Sequence, residues 1–117
     1  MAAAADRKEV SYMDDFSIDY KYINVYLQRS WVEINLSTLY SNFKSYSAHL
    51  PITTQIIAVV KADAYGHEDR VVAKYLSDRG VRHFAVSNID EAIHIRTAGA
   101  KGQILILGYT PIERAES

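Results

Sequence analysis

The residue types best suited to covalent chemistry lie in one loop, Lys61–His67, directly after the apolar run Ile56–Val60. A lysine at the end of a buried strand can have its amine partly out of water, which favours the neutral form that a Schiff base requires. Gly66 would let the backbone approach a ligand closely, and a helix beginning after His67 would favour a phosphate at its N-terminus. A solvent-facing lysine followed by an ordinary turn is also compatible with these residues, and position alone favours that simpler interpretation.

Other motifs of catalytic type are weaker or missing from the sequence. The 4 histidines lack the spacing of metal ligands, so we expect no metal site. Asp90 and Glu91 are adjacent, which favours a charge role at a helix N-terminus over paired acid–base catalysis. The chain has no Gly-x-Gly-x-x-Gly nucleotide loop and no Gly-x-Ser-x-Gly motif. With 0 cysteines it also has no disulfide and no thiol nucleophile.

Composition excludes several classes of protein. The 117 residues are 49% hydrophobic and 23% charged, which is ordinary for a globular domain. A formal net charge of −1 argues against nucleic acid as a partner. The longest apolar run, Ile56–Val60, is far shorter than the ~20 residues of a membrane span, and Ala2–Ala5 is too short for a signal peptide. We therefore expect a soluble, cytoplasmic chain with no membrane segment.

The pattern of apolar residues changes near residue 30. Residues 1–30 predict a flexible N-terminal arm or linker, with a possible strand over 20–27 where aromatic and aliphatic side chains alternate. Residues 31–117 predict alternating strands and helices with short connections. The strands are expected over 31–36, 55–60, 83–86 and 104–107, and the helices over 38–49 (capped by Ser37), 68–79 and 90–98.

This alternation is typical of a parallel α/β sheet, with both crossover helices on one side. Ligands bind beyond the carboxyl ends of such strands, so the loops Lys61–His67, Ser87–Ile89 and Gly108–Pro111 form the expected site. A closed eight-stranded barrel takes ~250 residues, so this chain can supply about three of its parallel βα units. The sequence stops where a helix should begin after Pro111, which we interpret as the first part of something larger.

Four segments resemble the alanine racemase family. Ala58–His67, which reads Ala-Val-Val-Lys-Ala-Asp-Ala-Tyr-Gly-His, resembles the pyridoxal-phosphate attachment motif of that family. Trp31–Leu36 resembles its opening strand, and Phe84–Ala92 resembles its second barrel strand and helix. Gln103–Pro111 resembles its third strand and loop, and also the related serine/alanine racemases of vancomycin resistance. The resemblance covers about residues 30–112 in the same order and spacing, which favours the chemical interpretation of Lys61.

The resemblance implies a TIM-type (α/β)8 barrel, of which this chain is the N-terminal part, followed by a β-rich domain in a homodimer. It implies pyridoxal 5'-phosphate as cofactor and a small amino acid, alanine or serine, as substrate. Lys61 would bind the cofactor covalently and act as base on one face of the substrate, Tyr65 would hydrogen-bond the phosphate, and Leu107 would pack near the ring. The family's second base, a tyrosine of the partner subunit, and its arginine near the ring nitrogen have no counterpart here.

Glu68 departs from the family pattern, which usually has glycine after the histidine of the motif. A carboxylate near a bound phosphate would repel it, so weaker cofactor binding is expected. Two other hypotheses stay open: a truncated, non-catalytic fragment, and a binding protein of the pyridoxal-phosphate homeostasis type. We also expect the 117-residue chain alone not to racemise amino acids, because it offers one base and an incomplete barrel.

Overall fold

A computed structural model of the chain describes residues 10–12, 30 and 32–116. The described residues fall into two compact units, divided between Ser41 and Asn42. In the first unit, strand β1 (Val10–Tyr12) pairs in parallel with strand β2 (Val32–Ile34), with Val10 opposite Val32. The segment predicted as a flexible arm therefore contains a short strand. The strand predicted over 20–27 lies outside the described residues.

Helix α1 (Leu36–Ala48) begins two residues earlier than predicted. Its N-terminal amides are capped by Asn35, whose Oδ1 accepts hydrogen bonds from Thr38 N at 2.8 Å and from Ser37 Oγ at 2.8 Å. The prediction of Ser37 as the cap was wrong: the asparagine oxygen reaches the free N–H of the first turn, and the serine hydroxyl donates to that same oxygen.

The second unit is a three-stranded parallel sheet in the order β3 (Ala58–Val59), β4 (His83–Val86), β5 (Gln103–Ile106). Helix α2 (Asp69–Asp78) joins β3 to β4, and helix α3 (Ile89–Thr97) joins β4 to β5. A 3-10 helix, Ile112–Arg114, follows β5. This confirms the predicted β-α-β-α-β order and the parallel sheet.

The core of the second unit lies between the sheet and its two helices. α2 and α3 pack against each other, as two right-handed crossovers on one side of a sheet require. The strand at the centre of the sheet is almost fully enclosed, since Phe84, Ala85 and Val86 are 0–1% exposed. The helices contribute an apolar stripe to this core, made of Val72, Ala73, Tyr75, Leu76, Ala92 and Ile95. No helix among the described residues has the length and apolar character needed to cross a membrane.

The outer strands leave one apolar row partly exposed. Val59, Ala85 and Leu105 lie opposite one another across the sheet, and Val59 and Leu105 are 41% and 51% exposed. Successive strand residues point to opposite faces, and Ile104 and Ile106 are less exposed than Leu105 between them. Within the described residues, the sheet therefore has a covered face and an open apolar face.

Gly102 controls how closely the starts of β4 and β5 approach each other. It has a φ of +94°, and a Cβ placed on it would lie 2.2 Å from the backbone oxygen of Arg82. Gly80 has a similar φ of +96°, but nothing lies within 4 Å of its would-be Cβ. The two glycines therefore separate the cost of a positive φ from the cost of a backbone clash.

We expect Gly102→Ala to destabilise the full-length gene product by about 2–4 kcal/mol, because strain and clash add. The matched variant Gly80→Ala should lose only about 1 kcal/mol, the cost of the left-handed conformation alone. Urea unfolding measures both. Equal losses for the two variants would contradict the close approach at Arg82.

Candidate functional site

Lys61 is placed at the carboxyl edge of the sheet by the end of β3. Val60 N donates to the backbone oxygen of Ala85 at 2.8 Å, so the strand ladder continues one residue beyond β3. Val60 is 2% exposed, whereas Lys61 is half-buried. Lys61 is thus the first residue that emerges from the buried strand, as the apolar run before it predicts.

The backbone after Lys61 forms one turn of left-handed helix. Ala62, Asp63, Ala64 and Tyr65 have φ values of 51, 57, 49 and 56°. For L-amino acids this conformation costs about 1–2 kcal/mol per residue, and runs of it are rare. We call residues 62–65 the left-handed turn. Four residues complete about one helical turn, so the backbone at Tyr65 comes back towards Lys61 and does not continue along the strand.

Backbone hydrogen bonds hold the left-handed turn together. Ala64 N donates to Val60 O at 3.0 Å, and Glu68 N donates to Asp63 O at 3.0 Å. The oxygen of Ala64 accepts from His67 N at 3.1 Å, and His67 Nδ1 lies 2.9 Å from the same oxygen. The imidazole of His67 is therefore engaged with the backbone of the turn.

One carboxylate joins the left-handed turn to the loop after β4. Glu91 Oε1 accepts a hydrogen bond from Ala62 N at 2.9 Å, and Glu91 Oε2 accepts one from Ser87 N at 2.7 Å. The N–H of Glu91 itself donates to Asn88 Oδ1 at 3.0 Å, which caps α3. The position of Glu91 in the sequence predicts only a charge role at a helix N-terminus, and this bridge between two loops was not predicted.

The start of α2 is occupied by acidic groups. Asp69 N donates to Asp63 Oδ1 at 3.1 Å. Carboxylate oxygens of Asp63, Glu68 and Asp69 lie within 4.8 Å of one another, and no other group of this kind occurs among the described residues. Burial raises the pKa of Asp69, against the lowering effect of the Arg70 N–H, and the charges of Asp63 and Glu68 raise it further. A phosphate would meet like charge here, which disfavours the phosphate site predicted at this helix start.

The third loop brings Leu107 to the same edge of the sheet. Leu107 N donates to Val86 O at 2.8 Å, and Gly108 N donates to Ser87 O at 2.9 Å. The row of paired residues described above consists of Val59, Ala85 and Leu105. Two residues further along the three strands come Lys61, Ser87 and Leu107. Parallel strands end at one edge, so Lys61 and Leu107 lie on the same edge with Ser87 between them. Leu107 is 54% exposed and Tyr65 is 61% exposed.

Glu68, between the left-handed turn and α2, has φ 68° and ψ 98°. Residues other than glycine adopt this backbone conformation at a cost of about 1–3 kcal/mol. The Glu68 carboxylate forms an ion pair with Arg70 Nε at 3.2 Å on the surface. A glycine, which the alanine racemase motif usually has at this position, would adopt this conformation without strain. Glu68 in its place therefore has a structural cost.

We expect Glu68→Gly to raise the free energy of unfolding of the full-length gene product by about 1 kcal/mol. The free energy gained by relieving the backbone strain should exceed two losses: the entropy cost of ordering a more flexible glycine, and the small contribution of the surface ion pair. Glu68→Ala removes the same ion pair but keeps a Cβ, so it should give no gain. Denaturant unfolding of both variants is the measurement, and a glycine variant no more stable than the alanine variant would rule out backbone strain at this position.

Comparison with known proteins places this site in a family. The family model "Alanine racemase, N-terminal domain" matches residues 34–117. An alanine racemase of Streptococcus suis is 46% identical over 81 residues, which are 69% of this chain and 22% of that protein. The alanine racemase structure of Clostridium difficile has 42% identity and a TM-score of 0.64, over 68% of this chain and 21% of that one. An alanine racemase structure of Bacillus anthracis with bound L-Ala-P has 41% identity and a TM-score of 0.64, over 69% of this chain and 21% of that one.

The chain therefore spans about a fifth of the length of these relatives. The matched residues include Ile34 at the end of β2, all three strands of the second unit, Lys61 and the left-handed turn. The match of the family model to most of the chain agrees with the identities above 40% and with the shared fold. This chain belongs to the alanine racemase family.

Proposed function

We propose that this protein racemises a small amino acid, with alanine as the preferred substrate, using pyridoxal phosphate held at Lys61. The observation that carries the proposal is the position of Lys61, half-buried at the carboxyl edge of the sheet and directly before the left-handed turn. The alanine racemases among its relatives support this reaction, and the L-Ala-P in the Bacillus anthracis structure supports alanine over serine.

The residues at this edge suit the three parts of the cofactor. Lys61 offers an amine for the aldehyde, and the exposed phenol of Tyr65 offers a hydrogen-bond donor for the phosphate. The exposed Leu107 offers an apolar side chain for the ring. Bound pyridoxal phosphate supplies an electron sink for the substrate α-carbon. The acidic start of α2 leaves Tyr65 as the proposed phosphate contact on this part of the chain.

In the reaction, the Lys61 amine takes up or returns a proton at one face of the substrate α-carbon. Racemisation needs a second base at the opposite face. We do not assign that role to His67, because it follows Lys61 by only six residues within the same loop. The family resemblance assigns the second base to a tyrosine of the partner subunit, so we propose a homodimer in which the two faces are served by two subunits.

The open face of the sheet supports the proposal that these strands belong to a TIM-type barrel. Its exposed row contains Val59 and Leu105, and a parallel sheet is normally buried on both faces. In a closed barrel this face would line the interior, where layers of branched side chains fill the space. A cytoplasmic location stays a prediction from the sequence.

The direct test labels the lysine. We expect pyridoxal phosphate followed by borohydride to label Lys61 in the full-length gene product, as mapped by mass spectrometry of peptides. Lys61→Ala should abolish the label, whereas Lys101→Ala, which changes an exposed lysine, should retain it. The same preparation should exchange the α-hydrogen of L-alanine in deuterated water and form D-alanine. Label without exchange would favour a cofactor-binding protein or a non-catalytic fragment and would refute the racemase proposal.

Removing the phenol of Tyr65 should weaken cofactor binding. We expect Tyr65→Phe to cost about 0.5–3 kcal/mol, the span from an ordinary hydrogen bond to one with a charged group. Tyr46→Phe changes a tyrosine of α1 that is 74% exposed and should leave the affinity unchanged. Cofactor titration followed by absorbance gives both values. Equal affinities for the two variants would place the phosphate away from Tyr65.

A further inference from the structure

We propose that Glu91 is the positioning residue for Lys61. Its carboxylate fixes the first amide of the left-handed turn to the loop after β4, and in doing so sets where the Lys61 amine stands. The inference rests on the proposed attachment of pyridoxal phosphate to Lys61. It assigns a role to a residue of α3 that lies outside the attachment motif.

The backbone on either side of Lys61 is held by hydrogen bonds to β4 and to the helix that follows it. On the N-terminal side, Val60 N donates to Ala85 O at 2.8 Å. On the C-terminal side, Ala62 N donates to Glu91 Oε1 at 2.9 Å. Lys61 therefore lies between two anchored peptide groups. If the Glu91 contact were lost, the hydrogen bond from Val60 N to Ala85 O on the strand side would be the one of these two that remains.

The contact at Ala62 lies where the chain enters its least favourable conformation. Ala62 is the first of the four residues with positive φ, and its N–H is the donor to Glu91. A strained backbone conformation persists when several surrounding contacts hold it in place. A hydrogen bond to a charged acceptor is among the stronger contacts available for this purpose. Glu91 thus favours the left-handed turn at its first residue.

The role goes beyond capping α3. Asn88 and Glu91 have the spacing of a capping box, in which the glutamate side chain returns to the N–H of the cap residue. Here Asn88 caps the Glu91 N–H, but the Glu91 oxygens accept from Ser87 N and from Ala62 N. One of these donors lies 29 residues away, in a different loop. Both loops are at the carboxyl edge that holds Lys61.

A glutamate is well matched to this arrangement. Two amide donors need two acceptor oxygens, and an ionised carboxylate offers acceptors only. Glutamine would direct its amide donor at one of the two N–H groups. Aspartate keeps both oxygens but is one methylene shorter, so it cannot reach Ser87 and Ala62 from the same backbone position without a shift.

The experiment compares Glu91→Gln with Asp90→Asn in the full-length gene product. Both changes remove one negative charge from the first turn of α3. The Asp90 carboxylate pairs with Arg114 Nη1 at 2.8 Å, whereas the Glu91 carboxylate accepts from Ala62 N in the left-handed turn. We expect Glu91→Gln to weaken attachment of pyridoxal phosphate to Lys61 by about tenfold, and Asp90→Asn to change it by less than about twofold. Attachment is followed by absorbance titration and by borohydride labelling of Lys61.

Hydrogen exchange without cofactor gives a second, independent measurement. The amides of Ala62 and Ser87 should exchange faster in Glu91→Gln than in Asp90→Asn, while the amides of β4 keep their protection. Faster exchange with unchanged attachment would overturn the positioning role and leave Glu91 a structural contact. Unchanged exchange at both amides would overturn the bridge itself.

These outcomes are distinct from failure of the proposed function. If the unchanged protein attaches no cofactor at Lys61, the racemase proposal fails, and the positioning role falls with it. If the unchanged protein attaches cofactor and Glu91→Gln attaches it equally well, the racemase proposal stands and only the role of Glu91 is refuted. If Glu91→Gln unfolds the protein, Glu91→Asp is the variant to use instead. We expect it to bind pyridoxal phosphate more weakly than the unchanged protein does, because the aspartate side chain is too short to reach both donors.

Discussion

The site depends on a backbone constraint: the chain that leaves β3 must turn through four residues of left-handed helix before it enters α2. In this conformation the Cβ of an L-residue crowds the following carbonyl oxygen, which is why only short runs occur. The local sequence, Ala-Asp-Ala-Tyr, limits the penalty because it contains no β-branched residue, for which a positive φ is a more serious outlier. The turn separates Lys61 from α2 and brings the backbone at Tyr65 back towards Lys61. This is the arrangement in which we propose that the Lys61 amine and the Tyr65 phenol bind one cofactor.

The turn and the start of α2 form one unit of hydrogen bonds. Asp63 shows this most clearly, because its backbone oxygen accepts from Glu68 N and its side-chain Oδ1 accepts from Asp69 N. The Asp63 carboxylate thus occupies one of the amides that a free helix N-terminus would offer to a phosphate. This disfavours an anion at the start of α2 and leaves the phenol of Tyr65 as the proposed phosphate contact. The charges of Asp63 and Glu68, which add to the effect of burial in raising the pKa of Asp69, would also oppose another anion there.

Hydrophobic periodicity predicted most of the sheet and its helices. His83–Val86 has the predicted bounds, and α2 and α3 lie within one residue of theirs, because burial against the sheet requires those apolar residues. The pairing of β1 with β2 was not predictable, since it joins residues far apart in sequence with little alternation at 10–12. The left-handed turn was also not predictable from local preference. Its first amide is held by Glu91, which lies 29 residues further along the chain.

The site residues show the same division between local and distant information. Spacing alone favoured an ordinary strand-end lysine at position 61, and the family motif around it changed that interpretation. Glu91 was assigned only the charge role that its place in the first turn of α3 suggests. The Asn88-x-x-Glu91 spacing was a signal for an engaged side chain, but it points to the N–H of Asn88 and not to a second loop. Only the fold brings Ala62 within reach of that carboxylate.

A crystal structure of the full-length gene product grown with pyridoxal phosphate would show whether the left-handed turn, held by Glu91, sets the position of the lysine proposed to bind the cofactor. We expect positive φ at Ala62, Asp63, Ala64 and Tyr65, both Glu91 oxygens on backbone amides, and electron density that joins the cofactor to Lys61 Nζ. Negative φ values through these residues, or cofactor density joined to a different lysine, would contradict it.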